Sequence, residues 1–318
     1  MFEHYEEVDL FAGIGGWEAI TRGRSIGIET DKAARLTRKA AHLHTLQADV
    51  RAISVDLFPR ARRLRGSPPC QTFAQSGNGA GVQRLKEVAA LALDMSYRQP
   101  VDLETLDERT GLVLQPLRWV LEAIDLGRPF VSVALEQVPR VLPFWHVMAG
   151  ILEAEGYHVW AGILNAEQYG TPQARQRAVL EASLDHPVGR PAPTHSQFHR
   201  HAPDRLDPGL DPYVTMAEGL DWRRGDVPGL PMWPWTRPAT TLVASFAPHI
   251  VSGPGYRKHD GPSRQNAPGS VEITLEEGLR LQSFPADWPL RGSKSARWRQ
   301  LGNAIPPLLA EAVRREVE

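Results

Sequence analysis

Short apolar runs alternate with stretches of helical spacing through residues 1–185, and this alternation most constrains the fold. Strand-like runs lie at residues 8–11, 25–29, 63–66, 130–135 and 157–164, and helical spacing lies at 31–42, 111–126 and 143–155. The run at 130–135 is apolar throughout, as in a strand buried on both faces. The pattern predicts an open, largely parallel, Rossmann-like α/β sheet. Such sheets bind ligands at the carboxyl ends of their strands.

The composition changes after residue 185. Residues 186–270 contain 14 of the 27 prolines and 6 of the 11 histidines, with poor helical periodicity. Trp222, Trp233 and Trp235 make this segment too apolar for a typical disordered region, although a flexible linker is the alternative. We therefore predict a smaller irregular domain at 186–271 beside a main domain formed by 1–185 and 272–318. Helical spacing returns at 273–281 and at 306–317.

Composition excludes several classes of protein. The chain has 318 residues, is 42% hydrophobic and carries a net charge of −1, so bulk charge does not indicate a polyanion partner. No run reaches the roughly 20 apolar residues of a membrane span, and the acidic N-terminus lacks the regions of a signal peptide. One cysteine allows neither an intrachain disulfide nor a cysteine-cluster zinc site. We expect a cytoplasmic protein without a membrane partner, and we predict no metal site.

The single cysteine, Cys70, lies in the run Ser67-Pro68-Pro69-Cys70-Gln71. A lone cysteine is most often an inert core residue. Here two prolines fix the preceding backbone, an amide side chain follows, and a glycine-rich stretch begins at residue 76. These neighbours favour a nucleophile on a stiff support beside a movable loop.

A glycine-rich turn follows the first strand, in the run Asp9-Leu10-Phe11-Ala12-Gly13-Ile14-Gly15-Gly16. Glycines at a strand-to-helix turn let backbone N–H groups approach a ligand, although a purely structural turn is equally compatible. The spacing differs from the dinucleotide fingerprint. Glu29, at the end of the second strand, is placed to bind ribose hydroxyls, and Asp49 could accept a hydrogen bond from an adenine amine.

Three later motifs carry polar side chains. Glu136 directly follows the buried strand at 130–135, where a carboxylate is usually solvated or caps a helix, but an enclosed one could donate a proton. Gln173, Arg175 and Arg177 alternate and would share one face of a single strand, with surface charge as the simpler interpretation. The run Leu301-Gly302-Asn303-Ala304-Ile305-Pro306-Pro307 forms a turn before the last helix.

The ordered set of motifs from Asp9 to Pro307 resembles the cytosine-C5 DNA methyltransferase family, whose members use S-adenosylmethionine. The resemblance implies a class I methyltransferase fold in which 186–271 is the target-recognition domain. It implies that Asp9, Phe11, Gly13, Ile14, Gly15 and Gly16 form the cofactor loop. By the same resemblance Glu29 binds the ribose, Asp49 the adenine amine, and Asn303 reaches the cofactor from the C-terminal segment.

The resemblance also implies a catalytic set. Cys70 corresponds to the nucleophile, Glu136 to the carboxyl at cytosine N3 and N4, and Arg177 to the contact with cytosine O2, while Gln71, Arg175 and Gln173 support this site. A thiolate that adds to C6 makes C5 nucleophilic, which splits one difficult step into easier ones. The base must leave the stacked duplex for this chemistry. The implied partner is double-stranded DNA, and we expect a monomeric enzyme of bacterial or phage origin.

Two positions depart from the family pattern. Gln137 stands where the family usually has Asn, which helps to hold the glutamate and the Pro-Cys turn, and Ala74 stands where it usually has Ser. Gln137 keeps open the alternative of a catalytically silent DNA-binding relative. A second alternative is an RNA cytosine-C5 methyltransferase, which uses the same chemistry. An amino-methyltransferase is disfavoured, because that chemistry expects an aromatic residue at the position of Cys70.

Overall fold

The computed structural model describes residues 2–20, 23–69, 80–101, 111–223, 231–242, 249–251 and 270–317. The strands in these ranges are β1 (Glu7–Leu10), β2 (Ser25–Ile28), β3 (Thr45–Leu46), β4 (Arg63–Gly66), β5 (Ser132–Gln137), β6 (His158–Asn165), β7 (Gln173–Ala174), β8 (Gln176–Ser183), β9 (Ala239–Thr240), β10 (His249–Val251) and β11 (Ser270–Glu272). The helices are α1 (Lys32–Ala40), α2 (Ala80–Ser96), α3 (Gln115–Asp125), α4 (Leu142–Ala154), α5 (Met216–Gly219), α6 (Leu275–Leu281), α7 (Lys294–Asn303) and α8 (Pro307–Val317).

One sheet organises the fold, in the order β3-β2-β1-β4-β5-β8-β6. The neighbours from β3 to β5 pair in parallel, whereas β8 runs antiparallel to both β5 and β6. Helix α1 lies between β2 and β3, and α2 and α3 lie between β4 and β5, as expected because a parallel crossover needs a dozen or more residues. The predicted open, largely parallel α/β sheet is confirmed.

The two faces of the sheet differ in polarity. Residues at alternate positions, such as Val8, Leu64 and Val133, enter an apolar core with α2, α3 and α4. The opposite face packs against α8, where Val179 lies in a smaller apolar cluster with Leu309. Successive side chains of a strand point to opposite faces of the sheet. A charged residue between two side chains of the apolar core therefore lies on the face that packs against α8.

Charged side chains are buried beneath α8. Glu7 pairs with Arg65 at 3.2 Å and with Arg314 at 2.7 Å, and Arg65 also donates to Ser132 Oγ at 3.2 Å. Burial alone would raise the pKa of Glu7, but the two arginines outweigh it and hold the pKa below its ordinary value. The arginines therefore keep Glu7 ionised inside the protein.

Glu181 is buried on the same face without such a partner. It is 0% exposed, and neither carboxylate oxygen has a hydrogen-bond partner among the described residues. Burial, reinforced by the charge of Glu316, raises its pKa from 4.5 to about 9, and Arg65 only partly offsets this. The side chain is thus a neutral acid in the folded protein at pH 7.

The described parts of 186–271 pack against the segment that follows them. Met216 and Trp233 share an apolar cluster with Val271, Leu279 and Trp298. A capping box at Thr215 begins α5, and the Trp222 indole donates to Glu277 Oε1 on α6 at 2.9 Å. Among the described helices, none combines the length and apolar character needed to cross a bilayer.

We predict that Glu181→Gln stabilises the protein above neutral pH. A carboxyl with a raised folded-state pKa holds its proton more tightly when folded, so the free energy of unfolding falls as pH rises from about 4.5 to about 9. The amide removes that dependence. Thermal unfolding at pH 6 and pH 8.5 should show a smaller loss of Tm in this variant than in the wild type. Glu153→Gln, at an exposed position, is the control, and equal pH slopes for all three proteins would contradict the prediction.

Candidate active site

The carboxyl ends of three parallel strands lie side by side. Leu10, Gly66 and Leu135 are register partners across β1, β4 and β5. Each is followed in the chain by one of the motifs singled out above: the glycine-rich turn, the Pro-Pro-Cys run and Glu136. The sheet register therefore brings these three motifs to one edge.

The glycine-rich turn has the backbone that its sequence predicts. Phe11, Gly13 and Gly15 have φ values of 59°, 52° and 90°, in the left-handed region that favours glycine. Glu29 accepts hydrogen bonds from Gly13 N at 2.8 Å and from Asp31 N at 2.7 Å. The carboxylate expected to bind ribose is therefore held at the mouth of this turn.

Gly16 brings the turn against the C-terminal segment. A Cβ at Gly16 would lie 2.5 Å from the Ile305 carbonyl oxygen, a distance that real Cβ contacts do not reach. The backbone of the turn and that of 302–305 are thus in direct contact. This contact places Asn303, which is exposed at the end of α7, at the same edge of the sheet.

A buried ion pair between Arg38 and Glu18 supports the glycine-rich turn. The Arg38 guanidinium donates to Glu18 at 2.6 and 3.0 Å, to Ala12 O at 3.3 Å, to His44 O at 2.9 Å and to Thr45 Oγ1 at 2.8 Å. These bonds use all five of its N–H donors. The sequence reasoning missed this pair, because neither residue belongs to a motif. The helical spacing of 31–42 could have indicated that Arg38 faces inward.

Asp9 lies fully buried beneath the turn. Neither carboxylate oxygen has a hydrogen-bond partner among the described residues. Burial raises its pKa well above the ordinary value, the nearby charge of Glu18 adds to this, and Arg38 opposes it. An acid this isolated favours its neutral form.

Asp49, predicted to contact an adenine amine, is engaged locally. It caps a short turn by accepting from Arg51 N at 2.9 Å, and it pairs with the Arg51 guanidinium at 2.6 Å. The hydrogen bond from the Arg51 side chain is the main cause of its lowered pKa. Its carboxylate is partly exposed and remains ionised.

The Pro-Pro run is anchored to β5 through Gln137. The Gln137 side-chain amide donates to the Pro68 carbonyl, and its oxygen accepts from Val138 N at 2.5 Å. The Gln137 side chain, which is longer than the asparagine of the family pattern, therefore spans the gap between β5 and the turn. Cys70, Gln71 and Ala74 lie outside the described residues.

Glu136 and Arg177 form a pair at the end of β5. Arg177 Nε lies 2.5 Å from Glu136 Oε1, and the Glu136 side chain is only 4% exposed. The antiparallel pairing of β8 with β5 brings the two residues together from opposite directions along the sheet. Glu136 is thus enclosed at the end of β5 with a guanidinium directly beside its carboxylate.

The expectation of one continuous strand over 173–177 was wrong. The ladder breaks at Arg175, and Gln173 instead pairs with Ala239 in a separate two-stranded sheet of β7 and β9. Arg175 is fully buried and donates to the carbonyls of Leu242, Gly302 and Ala304 at 2.8–3.0 Å. Gln173 also bonds to Gln282 at 2.8 Å. The side chains of Gln173 and Arg175 therefore both bind the C-terminal segment.

The structure thus brings most of the predicted residues to one edge of the sheet. Glu136 and Arg177 touch, Gly13 binds Glu29, and Arg175 holds the turn that contains Asn303. Asp49 is held by Arg51 instead, and Asp9 is beneath the turn rather than open to solvent. Ile14 is buried in the core at 1% exposure, whereas Phe11 is partly exposed.

Comparison with known proteins identifies the family. A family model described as C-5 cytosine-specific DNA methylase matches residues 5–94, 133–207 and 245–318. The chain belongs to this family. It is therefore an enzyme of the DNA (cytosine-5-)-methyltransferase class, and the family implies S-adenosylmethionine as methyl donor.

Curated relatives and solved structures agree with this assignment. Type II methyltransferase M.AplI of Arthrospira platensis is 24% identical over 98% of this chain and 85% of its own length. M1.HphI of Haemophilus parahaemolyticus is 26% identical over 96% and 84%. A mutant form of Spodoptera frugiperda DNMT2 superposes with a TM-score of 0.64 at 14% identity, covering 98% of this chain and 99% of that one. S. pombe Dnmt2 gives 0.62 at 17% identity, over 98% and 97%. These two structures establish likeness of fold.

We predict that Gly16→Ala weakens cofactor binding at least tenfold. The added Cβ meets the Ile305 carbonyl, and backbone on both sides leaves nothing flexible to yield. Isothermal titration with S-adenosylhomocysteine would measure the change. Gly23→Ala is the matched control, because a Cβ there meets nothing within 4 Å. An unchanged dissociation constant for Gly16→Ala would mean that the turn does not bind the cofactor.

Proposed function

We infer that this chain methylates cytosine at C5 within a specific duplex DNA sequence. It uses S-adenosylmethionine and proceeds through covalent addition of Cys70 to C6 of a flipped-out base. The observation that carries this proposal is the enclosed Glu136–Arg177 pair, one strand away from the anchored Pro68 turn that precedes Cys70.

The turn at residues 9–16 fits the cofactor. Gly16 admits no side chain, so a ligand can approach the backbone of the turn closely, and the Glu29 carboxylate at its mouth suits vicinal hydroxyls. We assign Phe11, Gly13, Ile14, Gly15 and Gly16 to the cofactor loop, with Asp9 supporting it, Asp49 towards the adenine and Asn303 approaching from α7. When bound, S-adenosylmethionine supplies an electrophilic methyl group on its sulfonium.

The chain's own residues perform the remaining steps. The Cys70 thiolate adds to C6, and a proton or strong hydrogen bond from Glu136 at N3 spreads the charge that develops on the ring. The addition makes C5 nucleophilic, as methyl transfer requires. Removal of the C5 proton by a base then expels the thiolate and restores the aromatic ring. Arg177 holds the base at O2 and supplies a positive charge that favours the thiolate.

Gln71, Gln173 and Arg175 complete the site as supporting residues. The three carbonyl contacts of Arg175 and the bond of Gln173 to Gln282 support this role, because both side chains are fully buried and bind the C-terminal segment, Arg175 also binding Leu242. Gln137 takes the place of the family's usual Asn, and its bond to Pro68 supports an active rather than a silent enzyme.

We propose that residues 1–185 and 272–318 form the catalytic domain and that 186–271 forms the target-recognition domain. Recognition would come from side chains of 186–271 that read base edges in the major groove. Several curated relatives carry the name type II methyltransferase. By analogy, we propose that this enzyme works in restriction-modification, as a monomer in the cytoplasm of a bacterium or from a phage.

DNA that contains 5-fluorocytosine tests the mechanism directly. With S-adenosylmethionine present, we expect a covalent adduct at Cys70, because fluorine cannot leave as the C5 proton does. Denaturing electrophoresis detects the adduct, and peptide mass spectrometry places it on the only cysteine. Cys70→Ser should bind DNA without forming it. No adduct on any cytosine-containing duplex would refute the proposal, and an adduct on RNA alone would favour an RNA substrate.

Glu136→Gln should slow methyl transfer by about a hundredfold or more, the usual scale of general acid–base catalysis. The amide keeps the shape of the side chain but cannot donate a carboxyl proton to N3. Single-turnover transfer of a labelled methyl group measures the rate. Glu276→Gln, at an exposed position of α6, should match the wild type, and a near-normal rate for Glu136→Gln would remove Glu136 from this role.

A further inference from the structure

The turn that precedes Cys70 is attached on two sides. On one side, Pro68 accepts the Gln137 amide, next to Glu136 on β5. On the other side, Ser67 N donates to Leu10 O at 3.2 Å, and Ser67 Oγ accepts the Trp17 indole N–H at 3.2 Å. Ser67 is thus bonded to the end of β1 and to the residue that follows the cofactor loop.

The Trp17 ring is buried in an apolar cluster that joins other parts of the site. It is 2% exposed and directly follows Gly16, whose backbone meets Ile305. The ring packs in a cluster with Ala134, two residues before Glu136, and with Ile305 and Leu309 of the C-terminal segment. Trp17 therefore shares an apolar cluster with the strand of the carboxyl and the C-terminal turn, and its indole is hydrogen-bonded to the turn that precedes Cys70.

We propose that Trp17 is a positioning residue that couples the cofactor loop to the turn carrying Cys70, through its hydrogen bond to Ser67. This inference rests on the proposed function. Methyl transfer requires the thiolate, C5 and the methyl donor in one alignment, and a displacement of about 1 Å can cost a hundredfold in rate. Trp17 fixes the distance between the donor's loop and the nucleophile's turn.

The chemistry of tryptophan suits this coupling role. Tryptophan combines a large apolar ring with one N–H donor, so it can fill the gap beneath the loop and still reach a hydroxyl. Phenylalanine would fill most of the same space without the donor. The coupling therefore depends on a single N–H group, which a substitution can remove.

The test is a double-mutant cycle of Trp17→Phe and Ser67→Ala. Each single variant should lower the single-turnover methyl-transfer rate about fivefold, the scale of one hydrogen bond, with the KM for cofactor within about twofold of wild type. The double variant should lose no more than either single one, because both remove the same bond. Trp288→Phe is the matched control, since Trp288 is 5% exposed and its indole N–H has no partner among the described residues.

A second measurement does not require activity. Iodoacetamide reacts with Cys70 alone, the only thiol in the chain. Loss of the bond should release the turn, so Trp17→Phe and Ser67→Ala should be alkylated about threefold faster than wild type, and Trp288→Phe at the wild-type rate. Losses that multiply in the double variant, or a Trp17→Phe protein that behaves like Trp288→Phe in both assays, would overturn the coupling.

The two proposals can fail separately. A wild-type enzyme that is not trapped by 5-fluorocytosine DNA refutes the proposed function, while the alkylation rates still report on the Trp17–Ser67 link. An active wild type whose Trp17→Phe variant keeps full rate and ordinary alkylation refutes the coupling alone.

Discussion

The parallel register of β1, β4 and β5 is the constraint on which the site depends. Leu10, Gly66 and Leu135 lie in one row, so the next residue of each strand begins a different functional segment. Gly66 suits the middle of this row, because a Cβ there would already lie 3.2 Å from the Leu135 side chain. A shift of one residue in either pairing would turn the side chains of a strand to the other face and separate the three segments.

This arrangement buries charged side chains on the sheet face beneath α8, which costs free energy. Glu136 faces α8, and so does Glu7, which is stabilised by Arg65 and Arg314. Removing one partner of a buried pair typically costs about 3–5 kcal/mol, since the remaining charge stays buried. Glu181 avoids that penalty only by staying protonated. The face that carries Glu136 is thus stabilised by ion pairs, and the larger apolar core lies on the opposite face.

Local patterns predicted the sheet and the motifs that meet at one of its edges, but they did not predict side-chain contacts between distant segments. Strand runs and glycine spacing indicated β1, β2, β4 and β5, because burial and backbone freedom are local properties of sequence. The Trp17–Ser67 bond spans 50 positions, and the Arg38–Glu18 pair joins two residues outside any motif. The break at Arg175 had no local signal either. That side chain leaves the ladder because three carbonyls of distant segments bind it.

The C-terminal segment is as much a part of the site as the motifs near the N-terminus. Gly16 meets Ile305, and Arg175 holds the carbonyls of Gly302 and Ala304, so residues separated by more than 120 positions fix one another. Two further contacts bind α8, the helix that follows this turn. Ser283 accepts a hydrogen bond from the first turn of α8, and Glu7 of β1 pairs with Arg314 of α8. Contacts of such long range carry a large cost in loop-closure entropy, which the packing of the segments must offset. The geometry of the glycine-rich turn therefore depends on the C-terminal segment that packs against it, and so does the cofactor site that we propose there.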